Sequence, residues 1–250
     1  MKYFRPKKRF GQHFLNDKRL VKKIVRHAKI EDEVVIEIGA GKGVLTKYIA
    51  QKAKKVIAVE IDRNLIEILK KSIQPNVVII NEDFLKLDLR NFPRAVIVGN
   101  IPYSISTHIL EMLVAQRDYF KRALFTLQKE YAQRLLAKVG SRQYGSITLY
   151  INYYYHIKRV FTIPAKYFTP PPNVNSFLIS LLKKKPLLKL DDEIAFFEFV
   201  KGIFRYRRKS LKNAIGSYLN RLPDGIDETL LKKRPQNLTL KDFYSIYSLL

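Results

Sequence analysis

The residues of this chain whose types and spacing could do chemistry sit at the ends of apolar runs. Asn100-Ile101-Pro102-Tyr103 follows Ala95-Val96-Ile97-Val98-Gly99. Proline fixes its own φ, donates no backbone hydrogen and drives the preceding residue toward an extended conformation. The Asn100 side-chain oxygen and the Ile101 carbonyl are then held as two acceptors facing one direction, and Tyr103 adds a flat face. A planar group carrying an amine matches this arrangement, stacked on the ring with its N–H groups on the two acceptors.

Three further run ends carry suitable groups. Glu37-Ile38-Gly39-Ala40-Gly41-Lys42-Gly43 closes one apolar run and opens a helical pattern. Glycines let the backbone turn sharply and approach a ligand, and free amides at a helix start favour a negative group. The spacing is G-x-G-x-G, one residue short of the dinucleotide fingerprint G-x-G-x-x-G. Glu60 ends the next run, about 20 residues on, where an acid accepts hydrogen bonds from a ribose. Asp83 ends the third run and is placed to accept from an adenine amine. The expected ligand is therefore an adenosine compound.

The elements that must position these groups alternate. Val34–Ile38, Lys55–Glu60, Val77–Ile80, Arg94–Val98 and Ala123–Leu127 read as strands. Between and after them Val44–Ala53, Leu65–Ser72, Ile105–Val114 and Tyr131–Val139 read as helices. Asn16-Asp17 caps an earlier helix in which Leu20, Ile24 and Ala28 recur every fourth residue. Such a rhythm predicts a parallel sheet covered on both faces, which binds ligands at the carboxyl ends of its strands. Ile147–Val160 and Ser176–Leu182 read as a terminal, antiparallel strand pair. A Lys-Lys-Lys-Pro linker then leads into helical patterns, so the domains are expected at 1–185, with a basic arm at 1–15, and at 186–250.

The chain has 250 residues, and 47 Lys and Arg stand against 22 Asp and Glu, a formal charge of +25. That excess points to a polyanionic partner, nucleic acid first. There is no cysteine, and the four histidines show no metal-ligand spacing, so no metal is expected. No stretch approaches the roughly 18 apolar residues of a membrane span, and the N-terminus lacks a secretory h-region. A cytoplasmic protein is expected, and a monomer.

Asn-Ile-Pro-Tyr resembles the amine-binding motif of S-adenosylmethionine-dependent amino-methyltransferases, and Glu-x-Gly-x-Gly-x-Gly their cofactor loop. Residues 8–15 (KRFGQHFL), 168–176 (FTPPPNVNS) and 205–213 (RYRRKSLKN) narrow the likeness. Together they resemble the KsgA family, which dimethylates two adjacent adenosines of small-subunit (16S) ribosomal RNA, over nearly the whole chain and in matching order. The resemblance implies a Rossmann-like methyltransferase sheet with a small all-helical, RNA-binding C-terminal domain. It implies S-adenosylmethionine as cofactor, with S-adenosylhomocysteine as product, and small-subunit ribosomal RNA or a pre-ribosomal particle as partner.

Carried over by position, Gly39 and Gly41 line the methionine part of the cofactor, Glu60 holds the ribose and Asp83 the adenine amine. His13 and Leu15 close over the cofactor; the family often has Asn where this chain has His13. Asn100 touches cofactor and target, and Phe168 is the second wall of a slot whose first wall is Tyr103. The RNA-holding cations are Lys2, Arg5, Lys7, Lys8 and Arg9 in the arm, Lys18 to Arg26, and Arg205, Arg207, Arg208, Lys209 and Lys212. Two other readings share these features. A nicotinamide-dependent oxidoreductase would use the same sheet and Glu60, and a non-catalytic RNA-binding ribosome-assembly factor could be built on the same fold.

Overall fold

The structure, a computed structural model, describes Lys7 and residues 11–71, 73–186 and 188–250. The arm cations Lys2, Arg5, Lys8 and Arg9 lie outside the described residues. The strands are β1 (Phe14–Leu15), β2 (Val34–Ile38), β3 (Lys55–Val59), β4 (Val77–Ile80), β5 (Ala95–Asn100), β6 (Phe120–Gln128), β7 (Tyr155–Ile163), β8 (Phe168–Thr169) and β9 (Ser176–Lys183). The helices are α1 (Lys18–Ala28), α2 (Val44–Ala50), α3 (Arg63–Leu69), α4 (Ser106–Ala115), α5 (Lys129–Leu135), α6 (Ser146–Tyr154), α7 (Glu193–Phe204), α8 (Leu211–Leu219), α9 (Glu228–Lys232) and α10 (Leu240–Tyr247).

One seven-stranded sheet runs in the order β4-β3-β2-β5-β6-β9-β7. β4 through β6 in that order are parallel, and β9 pairs antiparallel with β6. The central strands are apolar on both faces, as helix-covered parallel strands must be: Val35, Val96 and Ile97 are wholly buried. From β2 the chain moves to β3 on one side and returns to β5 on the other. The β2/β5 boundary is thus the switch point, where a doubly wound sheet leaves a crevice. Register places Ile38 beside Gly99, so the glycine turn and Asn100 emerge side by side. Glycine is required there: a Cβ on Gly99 would lie 2.9 Å from the Ile38 carbonyl oxygen.

α1 begins where the cap was expected, with the Asp17 carboxylate accepting from Leu20 N–H at 2.6 Å. Leu20, Val21, Ile24, Val25 and Ala28 form its buried face. A short antiparallel pair was not foreseen: β1 joins β8, with Leu15 opposite Phe168, tying the N-terminal segment to the loop after β7.

The run 147–160 departs from the expected strand. Its first part is α6, and only Tyr155–Ile163 is extended. Tertiary packing overrides the β preference of its Ile, Thr and Tyr residues. Gly145 N–H donates to Thr148 Oγ at 3.1 Å, starting the helix, and Tyr150, Tyr153 and Tyr154 pack around Phe197 of α7. The same packing moves the domain division. One compact unit comprises the chain through Ala132 with His156–Lys183, and the second comprises Gln133–Tyr155 with Lys184–Leu250. Residues 133–155, expected in the first domain, therefore belong with the C-terminal helices.

Candidate active site

A cavity in the first unit opens at the carboxyl ends of β2, β3 and β5. His13, Leu15, Gly39, Gly41, Glu60, Asp83, Asn100 and Tyr103 all line it. Eight of the expected site residues thus meet in one place. Phe168 does not: it is 2% exposed, packs in the core with Leu15, and is absent from the cavity wall. The second-wall expectation is corrected for this structure, because the Phe168 ring is buried in the core cluster and has no open face for a base to stack on. The ring that faces Tyr103 belongs instead to His13, with centroids 5.7 Å apart and planes at 25°.

The glycine turn differs from the expectation in a telling way. Gly39 and Ala40 N–H both donate to the Val59 carbonyl, at 2.9 and 3.1 Å, and Gly41 N–H donates to Glu60 Oε2 at 2.8 Å. Three of its amides are thereby spent on the end of β3 and on the carboxylate that follows it. Gly41 has φ +60°, and a Cβ there would come within 3.1 Å of the Phe14 ring. Gly41 thus supplies both the left-handed turn and clearance for β1.

Glu60 is no solvated strand-end acid. It is 5% exposed, and its other oxygen accepts from Asp62 N–H at 2.9 Å. Burial pushes its carboxyl above the usual range, against the pull of the backbone donors of Asp62, Gly41 and Ile61. Asp83 is half-buried, with Oδ1 occupied by Leu85 N–H at 3.0 Å, which leaves Oδ2 to accept from a ligand.

At the end of β5, Asn100 Nδ2 donates to the His13 carbonyl at 2.6 Å. A carbonyl can only accept, so the amide orientation follows, and Oδ1 is left as an acceptor. The Tyr103 hydroxyl bonds Ser176 Oγ at 2.8 Å, which pins the ring, and burial raises its hydroxyl pKa. His13 Nδ1 lies 2.7 Å from the Pro170 carbonyl, so Nδ1 carries the hydrogen.

Sequence reading missed three participants. Asp62 caps α3 and binds Lys7 Nζ at 2.8 Å and Gln12 Nε2 at 3.2 Å. Burial opposes its ionisation, but these partners and the Asn64 N–H outweigh it and hold the carboxyl low. The Asp62-Arg63-Asn64 helix start was a readable cap signal; its reach to Lys7 was not. Ser176, and Glu37 with its buried carboxyl, are the others: both stood in the quoted motifs, but no role was assigned to either side chain.

The cationic segments divide by environment. Arg207 donates to the Arg142 carbonyl at 2.7 Å and to Gln236 Oε1 at 3.1 Å, within the second unit, whereas Arg205, Arg208, Lys209 and Lys212 are exposed. On α1, Lys18, Arg19, Lys22, Lys23 and Arg26 are all exposed and the helix contains no acid. Four of them line a groove with Tyr48, Gln51 and Lys52.

Comparison with known proteins agrees with this site. The family described as Ribosomal RNA adenine dimethylase matches residues 3–250. Ribosomal RNA small subunit methyltransferase A of Staphylococcus haemolyticus is 38% identical over 98% of this chain and 90% of its own. Its namesake from Bacillus thuringiensis is 39% identical over 96% and 89%. Among solved structures, a dimethyladenosine transferase from Plasmodium falciparum superposes with a TM-score of 0.78 at 28% identity, covering 94% of this chain and 96% of that one. The 23S rRNA methyltransferase ErmE shares the fold, with a TM-score of 0.72 at 23% identity over 94% and 99%. A sheet whose switch point gathers a glycine turn, Glu60 and Asn-Ile-Pro-Tyr, matched along nearly its whole length, belongs to the ribosomal RNA adenine dimethylase family.

Proposed function

We propose that this chain transfers methyl groups from S-adenosylmethionine to the exocyclic N6 of two adjacent adenosines in small-subunit ribosomal RNA. One observation carries the reading: Asn100, its amide fixed by the His13 carbonyl, stands beside Tyr103 on the same cavity as Glu60 and the glycine turn. The cavity suits a cationic adenosine compound. The amides of Gly39, Ala40 and Gly41 are consumed, and Glu37, Glu60, Glu82 and Asp83 put four carboxyl groups on its wall.

When bound, the cofactor supplies an electrophilic methyl group on a positively charged sulfur. The protein's part is positioning. Glu60 accepts from ribose hydroxyls with the lone pairs that Gly41 and Asp62 leave, and Asp83 Oδ2 accepts from the adenine amine. Tyr103, pinned by Ser176, stacks the extruded target base, a contact that contributes about 1–3 kcal/mol. Asn100 Oδ1 and the Ile101 carbonyl accept from the target amine, favouring its tetrahedral form and aiming its lone pair. The methylated ammonium that results is acidic and loses its proton without a strong base.

The exposed cations of α1 and of residues 205–212 hold RNA phosphates, giving affinity and register rather than sequence. A ribosomal substrate carries with it a cytoplasmic location. Among the described residues no helix is long and apolar enough to cross a membrane. Mass spectrometry of small-subunit RNA, naked and in particles, incubated with the protein and labelled S-adenosylmethionine tests the proposal. Dimethyladenosine at two neighbouring positions is expected. Tight RNA binding with no methylated base in either substrate would leave a non-catalytic assembly factor.

A further inference from the structure

Glu37 is the penultimate residue of β2, is 1% exposed, and lines the cavity. Buried carboxyl groups are normally hydrogen-bonded, and an orphan calls for an explanation. Thr46 of α2 relieves Glu37 through its side chain and its backbone N–H, and the relief is incomplete: Glu37 Oε2 and Thr46 Oγ are both buried without a hydrogen-bond partner. Among the described residues no cation offsets the carboxyl. The charged group acting on it is a second acid, Glu60 at the end of β3, and β5 contributes none. The other titratable side chains on the cavity wall are Lys42, Glu82, Asp83, His13 and Tyr103. Burial first, then Glu60, push the Glu37 carboxyl up to about 8, so it is neutral near pH 7.

We propose that Glu37 is a proton-linked counter-ion for the cofactor: its carboxyl is neutral in the free protein and yields its proton to solvent as the cationic cofactor enters the cavity. The inference rests on S-adenosylmethionine being the ligand. The O–H bond of Glu37 breaks, the proton goes to buffer, and the carboxylate left behind faces the arriving positive charge. Burial opposes a charge on Glu37 while the cavity holds none; a cation beside it reverses the balance. Affinity then rises with pH up to the carboxyl's own titration and levels off above it.

Calorimetric titration of S-adenosylmethionine into the full chain, in two buffers of different ionisation enthalpy, counts the protons. The ligand's ammonium also titrates, so the difference between wild type and Glu37→Gln isolates the carboxyl. Wild type is expected to release up to about one proton more per cofactor at pH 7, and its affinity to gain up to about tenfold per pH unit below pH 8 relative to the variant. Equal proton counts in wild type and folded variant would overturn the proposal. If the variant does not fold, a wild-type count of zero with measurable binding does the same. A folded wild type that binds no S-adenosylmethionine at all would overturn both this inference and the functional reading beneath it.

Discussion

Asn100 Nδ2 donates to the main-chain carbonyl of His13 across 2.6 Å, joining the end of β5 to a residue 87 positions away. The bond does two jobs. It orients the amide so that Oδ1 accepts, and it fastens the N-terminal segment over the cavity. Asn100→Ala removes both. Transfer should fall by about 10²–10³-fold in kcat, the usual loss for one preorganised polar group, while S-adenosylmethionine binding weakens but stays measurable. Asn100→Asp keeps the acceptor and loses the donor, setting a carboxylate against the His13 carbonyl. It should bind the cofactor less well than Asn100→Ala. Single-turnover methylation and cofactor titration on both variants separate the two jobs.

Phe168 is a second case in which position decides role. Its ring is buried beside Leu15 in the core rather than on the cavity wall. Truncation to Ala should cost about 3–5 kcal/mol of stability. Phe168→Leu, which retains most of the volume, should lower the melting temperature and leave KM for RNA within about twofold. Tyr103→Leu should do the reverse, raising KM with little change in melting temperature. A Phe168→Leu variant that melts normally but fails to methylate would restore that ring to the base slot.

These two residues show what sequence can and cannot convey. Glu60, Asp83, the glycine turn and Asn100 were readable because each sits at the end of its own apolar run. Parallel topology brings such ends together without further information. Phe168 and Tyr103 were equally visible as aromatics, but which one faces the cavity depends on tertiary packing, in which Phe168 sits in the β8 strand that pairs with β1. That pair is two residues long and joins segments far apart in the chain, so no periodicity announces it. The Ser176 bond to Tyr103 and the reach of Asp62 to Lys7 are invisible for the same reason. The helix at 146–154 was misread for another: Ile, Thr and Tyr favour strands locally, and only the aromatic surroundings of Phe197 reverse the preference.

The raised Glu37 carboxyl predicts a stability profile as well. In the folded protein it titrates at about 8, against 4.5 for an ordinary glutamate. Between those values the folded state holds a proton that the unfolded chain has released, so raising the pH through this window removes stability. Below it both states are protonated, and above it both are ionised. Glu37→Gln abolishes the effect. The variant should match wild type only below about pH 4.5 and be increasingly more stable toward pH 8.5 in the absence of cofactor. Denaturant melts at four or five pH values check this, and a difference independent of pH would refute the assignment.

The exposed face of α1 makes the last prediction quantitative. Arg19, Lys22 and Arg26 project from one helix that has no acid to neutralise them, and among the described residues none of the three forms an ion pair. Each phosphate they engage should add about one unit, at most, to the slope of log K against log salt. Replacing the three with Gln should therefore flatten that slope for a small-subunit RNA fragment by up to about three units. S-adenosylmethionine affinity should not change, because none of them lines the cavity. Arg207→Gln should behave differently. Its guanidinium is committed to Arg142 and Gln236, so the variant should destabilise the second unit while changing the slope little. Identical salt slopes for wild type and the triple variant would mean that α1 faces away from the RNA, leaving the exposed cations of residues 205–212 as the remaining described candidates for the phosphate contacts.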